Sequence, residues 1–132
     1  MKILDTDVCI ELLRGNHKVI ERRAATPDEV TTTWMTACEL AYGAAKSKQP
    51  DYNQTLVIEF LATLPVLDLN LPASEQFGKL KAQLEKSGNR IADADLLIAS
   101  VAIANSASLI TGNLRHYQRI DGLRIEDWIR GE

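Results

Sequence analysis

The side chains in this sequence best suited to chemistry are three carboxylates: Asp5, Glu39 and Asp95. The two cysteines, Cys9 and Cys38, form no CxxC pair and neither lies near a histidine, so zinc-site and thioredoxin-like readings lack ligands. Acids without imidazole or thiolate favour a hard divalent cation held by oxygen, Mg²⁺ or Mn²⁺. Such a cation grips phosphate oxygens, lowers the pKa of a bound water and stabilises a leaving oxygen, which is the chemistry of phosphodiester hydrolysis. No other nucleophile stands out, because Ser100 lies in an apolar run and His17 and His116 lack the partners of a triad. Water is the expected attacker.

Each acid also has a purely structural explanation. Asp5, Thr6 or Asp7 stands where it could cap a following helix, Thr36-Ala37-Cys38-Glu39 has the T-x-x-E form of a capping box, and Asp93 could cap the helix that Asp95 enters. Caps satisfy free amide N–H groups, so any one acid is accounted for without chemistry. Together they are harder to dismiss. Three carboxylates converging on one edge repel one another unless cations lie between them.

The elements that would bring them together can be read from periodicity and punctuation. Lys2 to Leu4 reads as a strand leading into Asp5, and Val8 to Arg14 as a helix stopped by Gly15. A helix over Lys18 to Ala24 and a turn at Pro27-Asp28 precede the β-branched strand Val30 to Thr33. Ala37 to Lys46 forms the next helix, ended by the stretch around Pro50. Leu56, Val57, Phe60 and Leu61 give Tyr52 to Thr63 an amphipathic helical spacing, and Val66 to Leu69 is a candidate strand. Pro72 to Lys86 is helical with Gly88 just past its end, and Ala94 to Asn105, apolar almost all round, should be a buried central helix. Ser108 to Thr111 is a strand, after which the chain ends through Leu123-Arg124-Ile125 and a short helix around Trp128.

Strands alternating with helices predict an α/β domain, a mainly parallel central sheet flanked by helices. Right-handed crossovers place every strand's carboxyl end on one edge, where ligand crevices of such sheets lie. Asp5, Glu39 and Asp95 should all face that edge, and Asn113 should reach it just past Thr111.

At 132 residues, 45% hydrophobic and 25% charged, the chain is expected to fold as a single domain over residues 1–132. Leu96 to Ala104 is far short of the roughly 20 apolar residues that cross a bilayer, and Asp5 interrupts any secretory signal, so a cytoplasmic protein with no membrane contact is expected. Fifteen basic against eighteen acidic residues leave a net charge of -3, which argues against holding nucleic acid by bulk electrostatics. Acids gathered in one cation-binding pocket soften that objection, because the bound cation reverses the local sign. Arg115 and Arg119 follow Asn113 and are either phosphate contacts or solvated surface charge.

Four segments in order, ILDTDVCIELL, TACELAYGAAKS, ADADLLIASVAIA and LITGNLRHYQRIDGLRIEDW, resemble the motifs of VapC-type toxins with a PIN domain, and the match spans nearly the whole chain. The resemblance implies a PIN-like fold and a toxin endoribonuclease of a type II toxin–antitoxin system. Such an enzyme cuts RNA, often tRNA, with Mg²⁺ or Mn²⁺, is restrained by a VapB-like antitoxin, and usually forms a homodimer. It also implies that Asp5 and Asp95 bind metal, that Glu39 is the acid after the second strand, and that Thr6 and Thr111 support the site. Asn113 matches a fourth position that is Asp in much of the wider family. Asp7 stands where the family commonly has Asn, and is either a cap or an outer ligand; Asp93 is additional, with the same two readings.

Two alternatives follow from the same residues. Ile3-Leu4-Asp5-Thr6-Asp7 is also similar to the strand-then-DxD opening of haloacid dehalogenase-type phosphatases, in which Asp5 would be the nucleophile, although Cys9 stands where that motif usually has Thr. A catalytically silent PIN module that only docks a protein partner is the other.

Overall fold

Because β1 (Lys2–Leu4) is flanked on both sides, its side chains must find apolar cover above and below the sheet. The computed structural model describes residues 1–130 and shows how this is met. Five parallel strands lie in the order β3-β2-β1-β4-β5, with β2 at Val30–Thr33, β3 at Val66–Leu67, β4 at Ser108–Ile110 and β5 at Arg124–Glu126. Ile3 pairs with Thr31 and Leu109, and Leu4 pairs with Ile110. The two-residue period of a strand then sends Ile3 and Leu109 to one face and Leu4 and Ile110 to the other. Ile3 and Leu109 pack with Leu80, Leu84, Leu96, Ile98 and Val101, from α5 (Leu71–Lys86) and α6 (Asp93–Ala104). Leu4 and Ile110 pack with Val8, Leu40, Val57 and Phe60, from α1 (Thr6–Leu13), α3 (Trp34–Ala45) and α4 (Pro50–Leu61). Val19 of α2 (His17–Ala25) joins this second cluster. The hydroxyls of Thr31 and Thr32, buried in β2, donate to the carbonyls of Lys2 and Leu4, so a threonine-rich strand is accommodated inside.

The α/β architecture and the buried α6 agree with the sequence reading; several boundaries do not. Helix α3 begins at Trp34, and the Thr33 hydroxyl accepts from the Thr36 amide. Thr33 is the cap, so the T-x-x-E segment is not a capping box and Glu39 lies in the second turn of α3. Strand β3 stops at Leu67, short of the expected Leu69. A four-residue helix, α7 (Leu114–Tyr117), was not anticipated. Around Trp128 the described residues form a turn rather than a helix. The Asp127 carboxylate accepts from the amides of Ile129 and Arg130, as it would at a helix start, but the backbone makes only a turn. Among the described residues no helix is long and apolar enough to cross a membrane.

Candidate active site

Asp5 leaves the carboxyl end of β1 and caps α1. Its amide donates to the carbonyl of Ile110 on β4, which fixes the backbone, while its side chain accepts from the Thr6 amide at 2.8 Å and from the Thr111 hydroxyl at 2.8 Å. The residue is only 5% exposed. Burial, then the neighbouring charge of Asp7 and more weakly that of Asp95, push its pKa up to about 7 against the two hydrogen bonds that favour ionisation. Among the described residues no basic side chain forms an ion pair with it.

Glu39 is joined to Asp5 through a threonine relay. The Thr6 hydroxyl donates to Glu39 Oε1 at 2.6 Å. Its single proton thus committed, Thr6 accepts from the Thr36 hydroxyl 3.0 Å away. Helices α1 and α3 are therefore locked together beside the acids, and the second Glu39 oxygen has no hydrogen-bond partner among the described residues.

Asp95 stands in the first turn of α6, where the helix dipole favours negative charge. His116 of α7 faces it, with Nε2 3.7 Å from Asp95 Oδ2, and the other ring nitrogen, Nδ1, lies 3.1 Å from the Asn113 amide nitrogen. The backbone amide of Asn113 donates to the Thr111 hydroxyl, the group that holds Asp5. Tyr117 lies beneath, buried, its phenol kept protonated by burial and by the charges of Asp5 and Asp95. His116, set aside in the sequence because no triad partner was visible, is thus part of the cluster; its three-residue spacing from Asn113 at a helix start was the available signal.

Asp7 does not cap α1. One of its oxygens accepts from the Gly112 amide at 2.9 Å, and burial raises its pKa. Arg130 donates to the Gly112 carbonyl and to the buried Asp127, whose carboxyl stays below the ordinary range because the Arg130 and Ile129 hydrogen bonds outweigh its burial. Both sides of the Gly112 residue are thereby pinned. A Cβ there would fall 2.8 Å from Asp7 Oδ2 and 2.8 Å from Ile129 Cδ1, so a larger residue would have to push one of these side chains aside. Nothing local in the sequence marks Arg130 or Asp127 for this task.

Of the remaining candidates, Asp93 does not serve as cap, since Ala92 holds that position; its carboxylate pairs with Lys81 at 3.1 Å on an exposed surface. Arg119 donates to the Arg90 carbonyl at 3.4 Å, while Arg115 is exposed and without an ion pair among the described residues.

The donor set suits a hard cation. Among the described residues no three His, Cys, Asp or Glu side chains group closely enough to hold a metal by themselves. The expected convergence of three acids is narrower in the structure: Asp5 feels Asp7 and Asp95, and Glu39 reaches the group through Thr6. Mg²⁺ commonly takes one or two carboxylates and fills its remaining positions with water and substrate oxygens. A buried Asp5 pressed against like charge, with one Asp7 oxygen buried and unpartnered, is an arrangement that such a cation would relieve.

Known proteins carry the same architecture. A family model described as PIN domain matches residues 2–123. The tRNA(fMet)-specific endonuclease VapC of Salmonella typhimurium is 35% identical over 127 residues, covering 96% of each chain. The crystal structure of DNA-bound VapBC from Salmonella typhimurium contains a chain that superposes with a TM-score of 0.92 at 34% identity, over 96% of this chain and 97% of that one. The structure of VapBC2 from Rickettsia felis, bound to a DNA fragment from its promoter, gives a TM-score of 0.91 at 32% identity, over 96% and 98%.

Proposed function

Since the chain belongs to the PIN domain family, we propose that it is the toxin of a toxin–antitoxin pair, an endoribonuclease that hydrolyses RNA phosphodiester bonds with a water activated at a Mg²⁺ or Mn²⁺ site. The observation that carries the mechanism is Asp5: a buried carboxylate crowded by Asp7 and Asp95 at the carboxyl edge of the sheet, with no basic side chain paired to it among the described residues. Asp5 and Asp95 hold the cation. When bound, it supplies positive charge for the phosphate oxygens and makes the attacking water more acidic. Thr6 and Thr111 orient Asp5, and Glu39, held by Thr6 through one oxygen, uses the other to orient the water. Arg115 is free to meet a substrate phosphate. A VapB-like antitoxin is the restraining partner, by likeness to the VapBC assemblies.

The phosphatase alternative loses ground because Asp7, which a DxD motif would commit to phosphate chemistry, is spent on the Gly112 amide, and Cys9 is wholly buried in the core. The test is to incubate the purified chain with a broad RNA pool, tRNA included, in Mg²⁺ and in Mn²⁺, and to sequence the new ends. Cleavage that disappears in Asp5→Asn and Asp95→Asn supports the reading. Hydrolysis of a small phosphomonoester with RNA left intact would favour the phosphatase, and antitoxin binding without any cleavage the silent module.

A further inference from the structure

Beside Asp95 the buried His116 Nε2 has no hydrogen-bond partner among the described residues, and the buried Tyr117 hydroxyl faces the same carboxylate. Leaving a buried donor without an acceptor is strongly unfavourable, so a donor persistently placed this way needs an acceptor in some working state. His116 is the one whose geometry identifies it. The Asn113 amide nitrogen, 3.1 Å from Nδ1, can only donate. Nδ1 therefore accepts, so the ring proton lies on Nε2, which faces Asp95 Oδ2 at 3.7 Å. That gap exceeds a hydrogen bond, so the bond forms only when the carboxylate turns toward the ring.

Resting on the reading that Asp95 holds the cation, we infer that His116 is a positioning residue. Asn113 fixes its tautomer, and the Nε2–H locks one oxygen of Asp95 so that the other is presented to the cation. Groups one layer out from a metal commonly orient its ligands in this way. Asn113 thereby acquires a role that does not require it to touch the cation. Its backbone amide holds the Thr111 hydroxyl that orients Asp5, and its side chain sets the imidazole that orients Asp95. One residue at the start of α7 thus governs both aspartates. Packing alone would not account for it, since an imidazole needed only for its tilted contact with Tyr117, 5.6 Å between ring centroids, has no use for a satisfied Nδ1 and a sealed Nε2 aimed at a carboxylate.

The test measures Mn²⁺ affinity of the full chain by titration calorimetry, with RNA cleavage and thermal melting in parallel, for wild type, His116→Gln, His116→Asn, His116→Phe and Asp95→Asn. Glutamine carries an amide nitrogen near the place of Nε2, and asparagine one near Nδ1. Phenylalanine and asparagine should weaken Mn²⁺ binding about tenfold or more, while glutamine stays within about threefold of wild type. Wild-type affinity in His116→Phe overturns the inference, as does a loss in His116→Gln as large as that in His116→Asn. The second comparison decides by itself if the phenylalanine variant does not fold. Wild-type Mn²⁺ binding by Asp95→Asn would instead remove the cation reading of Asp95, a result distinct from a silent His116→Phe beside a dead Asp95→Asn.

Discussion

At the level of single residues, Asp5 combines two opposed requirements, and its titration makes the conflict measurable. Its pKa is about 7 in the fold against 3.8 for a free aspartate. Between those values the folded chain binds more protons than the unfolded one, so stability falls as pH rises from about 4 to about 7, and the penalty is complete above that. One unit of displacement corresponds to about 1.4 kcal/mol, which makes the penalty a few kcal/mol. Asp5→Asn removes the ionisation. Without divalent cation, the variant should melt close to wild type near pH 4.5 and several °C higher at pH 8. Millimolar Mn²⁺ should raise the melting temperature of wild type at pH 8 and not that of the variant. A constant difference between the two proteins across this pH range would show that Asp5 is ionised throughout.

At the level of elements, the site is assembled by helix starts and by one clamped loop. Asp5 opens α1, Asp95 enters α6 and Asn113 precedes α7, so three first turns point their free amides at the same edge. Much of this was legible in the sequence. The short apolar strand Lys2–Leu4 and the run of α6 that is apolar almost all round give the layers, and the placing of Asp5 after a strand gives the edge. What was not legible depends on neighbours distant in the chain. Whether Thr33 or Thr36 caps α3 turns on where β2 releases the backbone, and Glu39 is drawn to Thr6 by a contact 33 residues away. The Gly112 clamp is the extreme case, since its partners are Asp7 and Arg130. Gly112→Ala should therefore cost about 1–3 kcal/mol in urea unfolding, because the new Cβ must displace Asp7 or Ile129, and it should reduce RNA cleavage by shifting Thr111 and Asn113. Gly78→Ala, in the middle of α5 with nothing near the added carbon, should be neutral or stabilising by up to about 1 kcal/mol and leave cleavage unchanged. Equal effects of the two substitutions would remove the clamp from the account.

At the level of the whole molecule, a chain of net charge -3 has to bring a polyanion to an acidic centre. Most basic groups near that centre are already engaged: Lys81 with Asp93, Arg130 with Asp127 and Gly112, Arg119 with the Arg90 carbonyl. Arg115 is the exposed exception on α7. Long-range attraction is therefore weak, and binding rests on the cation and a small number of local contacts. Each phosphate neutralised by a side chain on single-stranded nucleic acid adds about 0.7 to the slope of log affinity against log salt. Few contacts mean a shallow slope. Measured as KM for RNA cleavage across a range of KCl at fixed Mg²⁺, the slope should stay below about 2, and Arg115→Ala should lower it by about 0.7 with kcat nearly unchanged. A slope of about 4 or more would require a broad basic surface, and an unchanged slope in Arg115→Ala would take Arg115 away from the substrate phosphates.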